Sequence, residues 1–80
     1  MDHPQIVDEL IGLLQKSLES PRDMSADTEM LGDIGLESIQ VIEYLCEVED
    51  RFDLVIDEDR LADVRTIGDL ANVVVALSAN

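Results

Sequence analysis

The residues best suited to chemistry lie in the stretch GDIGLESIQVIEYL, residues 32–45. A glycine-bearing turn delivers Ser38 to the head of a strongly apolar segment. A serine in that place can be a helix cap, a nucleophile, or an attachment point for a group the chain lacks. Nucleophilic catalysis requires a base within reach and a third group to orient it. The chain's one histidine, His3, stands at the extreme terminus, and the residues around Ser38 form no G-x-S-x-G elbow. A serine hydrolase is therefore disfavoured, and the chain is expected to be no enzyme. Without a catalytic role, the ordinary function of such a serine is to accept a backbone N–H as an N-cap.

Two other sets of residues invite a chemical reading and support none. Cys46 is the only cysteine, which excludes an internal disulfide framework and a cysteine metal site. It reads as a small hydrophobe rather than a reactive thiol. The segment DEDRLADVRTIGD, residues 57–69, has the acidity of a calcium loop. Counting Asp57 as first ligand, however, puts Leu61 at the fifth place, Ala62 where glycine is required and Gly68 where a bidentate glutamate belongs. Asp57, Glu58 and Asp59 then form a solvated face, and no metal site is expected.

The elements that must position Ser38 follow from the composition and the periodicity. Eighty residues suit one small domain, residues 1–80. A hydrophobic content of 46% marks a folding chain, and with Tyr44 and Phe52 the only aromatics the core must be built from Leu, Ile and Val. The chain opens at Met1 with neither a basic start nor a long apolar run, so it reads as free-standing and without a signal peptide. Its longest apolar run, around VVVAL, is far short of a membrane span. The lone cysteine suits a reduced, cytoplasmic setting.

Val7, Leu10, Ile11, Leu14 and Leu18 repeat at three and four residues and predict a first helix from about Pro4 to Leu18, with His3 or Asp2 before it. From Glu19 to Leu36 the pattern stops, and Pro, Ser, Asp and Gly predict a long ordered loop pinned to the helices by Met24, Met30, Leu31 and Ile34. A loop of that length in a compact domain often carries function. A second helix is predicted from Ser38 to Phe52, a short third near Glu58 to Ala62, and a last one after Thr66, with Asp69 three residues on completing an imperfect capping box. The expected fold is all-α, a small four-helix bundle of three main helices and a short third, with the long loop between helices 1 and 2.

Wound at about 100° per residue, the second helix shows two apolar stripes. Val41, Tyr44, Leu45, Val48 and Phe52 form one, as core packing requires. Ile39, Ile42 and Cys46 form another, with Glu43, Glu47 and Asp50 beside it. The second stripe either packs under the long loop or docks a partner. Its position directly after Ser38 favours docking, since a partner held there is brought to the hydroxyl. Nineteen acids against five bases, a net charge of −14, disfavour nucleic acid and anionic membranes as partners. The same charge draws in proteins with basic docking patches, and like-charge repulsion should loosen the fold.

The block LGDIGLESIQVIEYLCEVEDRF, residues 31–52, resembles the acyl carrier protein family, whose Asp-Ser-Leu motif heads a recognition helix. Length, acidity, the long first loop and the tail VIDEDRLADVRTIGDLANVV extend the likeness over nearly the whole chain. The resemblance implies that Ser38 carries a covalent 4′-phosphopantetheine, placed there from coenzyme A by a phosphopantetheinyl transferase. The arm's thiol would hold acyl groups as thioesters and pass them between enzymes of fatty-acid or polyketide synthesis. By position, Glu37, Ile39, Ile42, Glu43, Cys46 and Glu47 would contact those partners, among them the transferase, a ketosynthase, an acyltransferase and other acyl-processing enzymes. A monomer is expected. Glu37 stands where the family usually has Asp, Ile39 where Leu is common, and Cys46 where an aliphatic residue such as Met often sits. The alternatives are a peptidyl carrier of a nonribosomal system, which the charge of −14 disfavours, and a cofactor-free interaction module in which Ser38 is only a cap.

Overall fold

The computed structural model describes residues 2–18 and 22–78. The expected start of the long loop at Glu19, Ser20 and Pro21 lies outside them, as does Met1. Four helices follow in order: α1 (His3–Ser17), α2 (Ser38–Phe52), α3 (Glu58–Leu61) and α4 (Ile67–Ser78). The all-α bundle with a short third helix is thus the observed fold. α1 packs most broadly against α4 and next against α2.

α1 starts one residue earlier than predicted because Asp2 caps it. The Asp2 carboxylate accepts the Gln5 N–H at 3.0 Å, and the Gln5 side chain accepts the Asp2 N–H at 2.9 Å, a reciprocal box. Pro4 falls in the first turn, where its missing N–H costs nothing. The buried face is Ile6, Val7, Leu10 and Leu14. Ile6 takes the inward place predicted for Ile11, which lies half-buried at the margin.

The buried side chains form one core, with Tyr44 and Val48 from α2, Ile67, Leu70, Ala71 and Val74 from α4, and Met30, Ile34 and Leu36 from the loop. Val74 and its neighbours sit in a helix despite their β-propensity, because the three-and-four spacing gives them a core face. Thr66 and Asp69 cap α4 as predicted: the Asp69 N–H donates to Thr66 Oγ1 at 3.0 Å and the Thr66 N–H to Asp69 Oδ2 at 3.1 Å.

The long loop is tied down more regularly than its composition predicts. Glu29 and Thr66 form an isolated antiparallel bridge. The Met30 N–H donates to Arg65 O at 3.1 Å, the Ile67 N–H to Thr28 O at 3.0 Å and the Gly68 N–H to Ala26 O at 2.8 Å. Of the four side chains expected to pin the loop, Met30 and Ile34 are buried and Met24 is half-buried. Leu31 is not a pin: it is 61% exposed. The turn sends Met30 and Ile34 into the core and leaves Leu31 between them on the outside.

Candidate functional site at the head of α2

Three residues of chain decide how Ser38 is presented. Gly35 has φ +80°, a left-handed conformation that glycine adopts without steric cost, and its outer side is open. Leu36 then turns inward, 7% exposed, with its N–H on Met30 O at 3.2 Å. Glu37 is the N-cap, in extended backbone, and the Gln40 side chain accepts its N–H at 2.8 Å.

That arrangement corrects the cap role considered for Ser38. Ser38 is the first helical residue, one place past the cap, and it is exposed. The serine therefore stands on the open side of the helix tip. The first helical acceptor is Glu37 O, taken by the Val41 N–H at 3.0 Å. The N–H groups of Ser38 and Ile39 lie ahead of it at the tip, where a helix has donors and no backbone acceptors. An oxyanion bonded to Ser38 meets those donors and the positive end of the helix dipole. The residues present thus fit a phosphodiester.

The two stripes of α2 separate cleanly. Tyr44 and Val48 are buried, with Val41, Leu45 and Phe52 half-buried around them. Ile39 and Ile42 are 58% and 57% exposed, and Cys46 is exposed as well. The second stripe therefore does not pack under the loop. Glu37, Glu43, Glu47 and Asp50 are all exposed alongside it. All six residues assigned to docking are in one exposed strip, below and beside Ser38. Leu31, misread as a loop pin, adds an exposed apolar side chain on the loop.

Among the described residues no base is bonded to Ser38. The His3 Nε2 lies 3.4 Å from Gly68 O, at the head of α4. Among the described residues no three His, Cys, Asp or Glu are placed to hold a metal ion, and no helix is long and apolar enough to cross a membrane. The sequence reading missed Arg22, whose guanidinium donates to the carbonyls of Asp33 and Ile34 just before Gly35. No spacing pattern signals such a bond, because the partners are backbone oxygens.

Residues 8–74 match the family model described as the phosphopantetheine attachment site. The chain belongs to that family, the acyl carrier proteins. It is 28% identical over 81 residues to acyl carrier protein 3 of Ralstonia nicotianae, covering all of this chain and 93% of that one. To the acyl carrier protein of Exiguobacterium sibiricum it is 25% identical over 69 residues, 86% of this chain and 87% of the other. A solved structure of a candidate acyl carrier protein from Mycobacterium tuberculosis shares the fold, with a TM-score of 0.81 over 89% of this chain and 96% of that one at 24% identity. As a member, the carrier is not an enzyme and bears 4′-phosphopantetheine covalently.

Proposed function

We propose that the carrier is modified at Ser38 and that acyl intermediates of fatty-acid or polyketide synthesis travel on the arm attached there. The observation that supports this most directly is the position of the serine: an exposed residue, one place past the cap, at a helix tip with spare N–H donors. In the transfer, Ser38 Oγ forms the new P–O bond while the pyrophosphate bond of coenzyme A breaks and adenosine 3′,5′-bisphosphate leaves. The serine proton passes to a base of the transferase, His3 being held against Gly68. Once bound, the arm supplies the thiol on which acyl groups ride as thioesters.

The carrier's own residues supply the address. Ile39, Ile42 and Cys46 offer an exposed apolar strip, while Glu37, Glu43 and Glu47 give it an acidic margin. Apolar contact at the centre with charge at the rim is the anatomy of a transient protein interface. The acids steer basic partners and speed encounter, while the small apolar area keeps release fast. The partners of this reading are a phosphopantetheinyl transferase, a ketosynthase, an acyltransferase and other acyl-processing enzymes, met by a monomeric carrier in the cytoplasm.

Intact-mass measurement after incubation with coenzyme A and a broad-specificity transferase tests the assignment. The wild type is expected to gain one phosphopantetheinyl group and Ser38→Ala none. Modification of the alanine variant places the arm elsewhere. An unmodified wild type under every transferase tried leaves Ser38 without its role.

A further inference from the structure

We infer that Arg22 is a positioning residue for the modification of Ser38, holding the Gly35 turn in the form that presents the hydroxyl. The inference rests on the assignment of Ser38 as the attachment site. Arg22 Nη1 donates to two successive carbonyls, Asp33 O at 3.2 Å and Ile34 O at 3.3 Å. The N–H groups of the same two residues both go to Glu29 O, at 2.9 and 3.1 Å. The 33–34 peptide is thus held at both its carbonyl and its N–H, and the 34–35 peptide that enters Gly35 is held at its carbonyl.

Arg22 is itself anchored. The Gln15 side-chain amide donates to Arg22 O at 2.6 Å and its oxygen accepts the Arg22 N–H at 3.3 Å. Gln15 lies on α1 one residue after buried Leu14, so it stands on a fixed base. A chain of polar contacts therefore runs from α1 through Gln15 and Arg22 to residues 33 and 34, three residues short of Glu37.

An ion pair does not account for this placement. The Asp33 carboxylate is occupied by the Glu29 N–H at 2.8 Å, within the turn. The ion pair found among the described residues joins Arg51 to Glu9. In a chain with 19 acids and five bases, Arg22 directs its cation at main-chain oxygens. Glycine at 35 makes the grip necessary, because glycine moves between positive and negative φ with little barrier from side-chain sterics. Without Arg22, the carbonyls of Asp33 and Ile34 lose that donor, and the turn is left to the Glu29 O bonds on one side and buried Leu36 on the other.

Orientation of a reacting hydroxyl appears in the chemical step, whereas the docking strip on α2 is untouched by changes at residue 22. Steady-state transfer from coenzyme A by a broad-specificity transferase, with full-length carrier as variable substrate, separates the two. Arg22→Ala is expected to lower kcat about three- to tenfold while KM stays level or falls. The charge effect alone has the opposite sign, since removing a cation improves attraction to a basic enzyme. Gln15→Ala, which changes no charge, should lower kcat in the same direction. The double variant should lose no more than Arg22→Ala, because both residues act through one chain of contacts. Amide hydrogen exchange at Leu36, bonded to Met30 O, should quicken in both single variants.

A kcat equal to wild type in Arg22→Ala, a loss carried by KM, or unchanged exchange at Leu36 would each overturn the inference. If the wild type accepts no arm, the attachment site fails instead, and exchange at Leu36 still reports whether Arg22 holds the turn.

Discussion

The Tyr44 hydroxyl on α2 donates to the carbonyl oxygen of Leu10 on α1 at 2.7 Å, and both residues are buried. This is a buried polar tie between the helix that bears Ser38 and the helix that anchors the long loop, beside the more exposed Arg51–Glu9 pair. Burial pushes the Tyr44 phenol far above its ordinary range, and the Glu47 carboxylate adds to the effect, so the hydroxyl stays a donor.

Tyr44→Phe keeps the ring and removes the donor. Leu10 O keeps its place in α1, so the loss is that of one buried hydrogen bond, about 1 kcal/mol, or a midpoint lower by about 4–8 °C for a domain of this size. The pH dependence has a definite sign. The folded phenol titrates above the unfolded one, so the stabilisation is complete below about pH 10 and declines as pH rises past it. Thermal scans between neutral and strongly alkaline pH should show a decline in the wild type that is weaker in Tyr44→Phe. Parallel curves would refute the coupling.

A second titration lies at the head of α4. The backbone N–H groups of Thr66 and Arg65 hold the Asp69 carboxyl below the usual carboxylate range. A depressed folded value means stabilisation present above the unfolded one, about pH 4, and lost as pH falls through the folded one. Asp69→Asn should be less stable than the wild type at neutral pH, with the gap narrowing on acidification. Helical circular dichroism on melting checks this, and a gap independent of pH contradicts it.

That cap was legible in the sequence, and the reasons are instructive. Thr66 and Asp69 are neighbours in the chain, so their spacing alone declares the box. α2 was equally legible from Ser38 to Phe52, since its core stripe and the break after it are local patterns. Ser38 as a cap was misleading because serine is a favoured N-cap, whereas the decisive spacing runs from Glu37 to Gln40. The loop resisted reading for a different reason. Its supports are the Glu29–Thr66 bridge and the grip of Gln15 and Arg22 on main-chain atoms, contacts between distant residues that follow no period. Leu31 was misplaced because hydrophobicity alone does not tell which side of a turn a residue occupies. Within the site, the exposure of the second stripe on α2 required the structure, since periodicity shows that a stripe exists and not what covers it.

Two glycines should respond differently to substitution. A Cβ at Gly68 would meet Ala26 O at 2.9 Å and Ala26 Cβ at 3.2 Å, against the bond that ties the loop to α4. Gly68→Ala is expected to cost about 1–3 kcal/mol by overpacking. Gly35 has nothing within 4 Å of an added Cβ, so only its φ of +80° opposes alanine. Gly35→Ala should cost about 1–2 kcal/mol. Gly35→Asn should recover part of that, because asparagine tolerates left-handed backbone, whereas Gly68→Asn should be at least as damaging as Gly68→Ala. Denaturant midpoints for the four variants test the distinction, and equal behaviour at both positions would sink it.

The two stripes of α2 should respond in opposite ways to substitution. Val48, fully buried, should cost about 2 kcal/mol when cut to alanine. Ile42, 57% exposed, should change stability by no more than about 0.5 kcal/mol when replaced by serine. In transfer kinetics the order reverses. Ile42→Ser removes apolar contact from the proposed docking strip and should raise KM for the carrier about tenfold with kcat retained, equivalent to about 1.4 kcal/mol of lost association. Val48→Ala, assayed well below its midpoint, should leave KM near that of the wild type. Glu43→Lys and Glu47→Lys should also raise KM, most strongly at low ionic strength, because exposed charges act through a field that salt screens. A strip that serves only the bundle would give the opposite pattern, with Ile42→Ser lowering the midpoint and leaving KM alone.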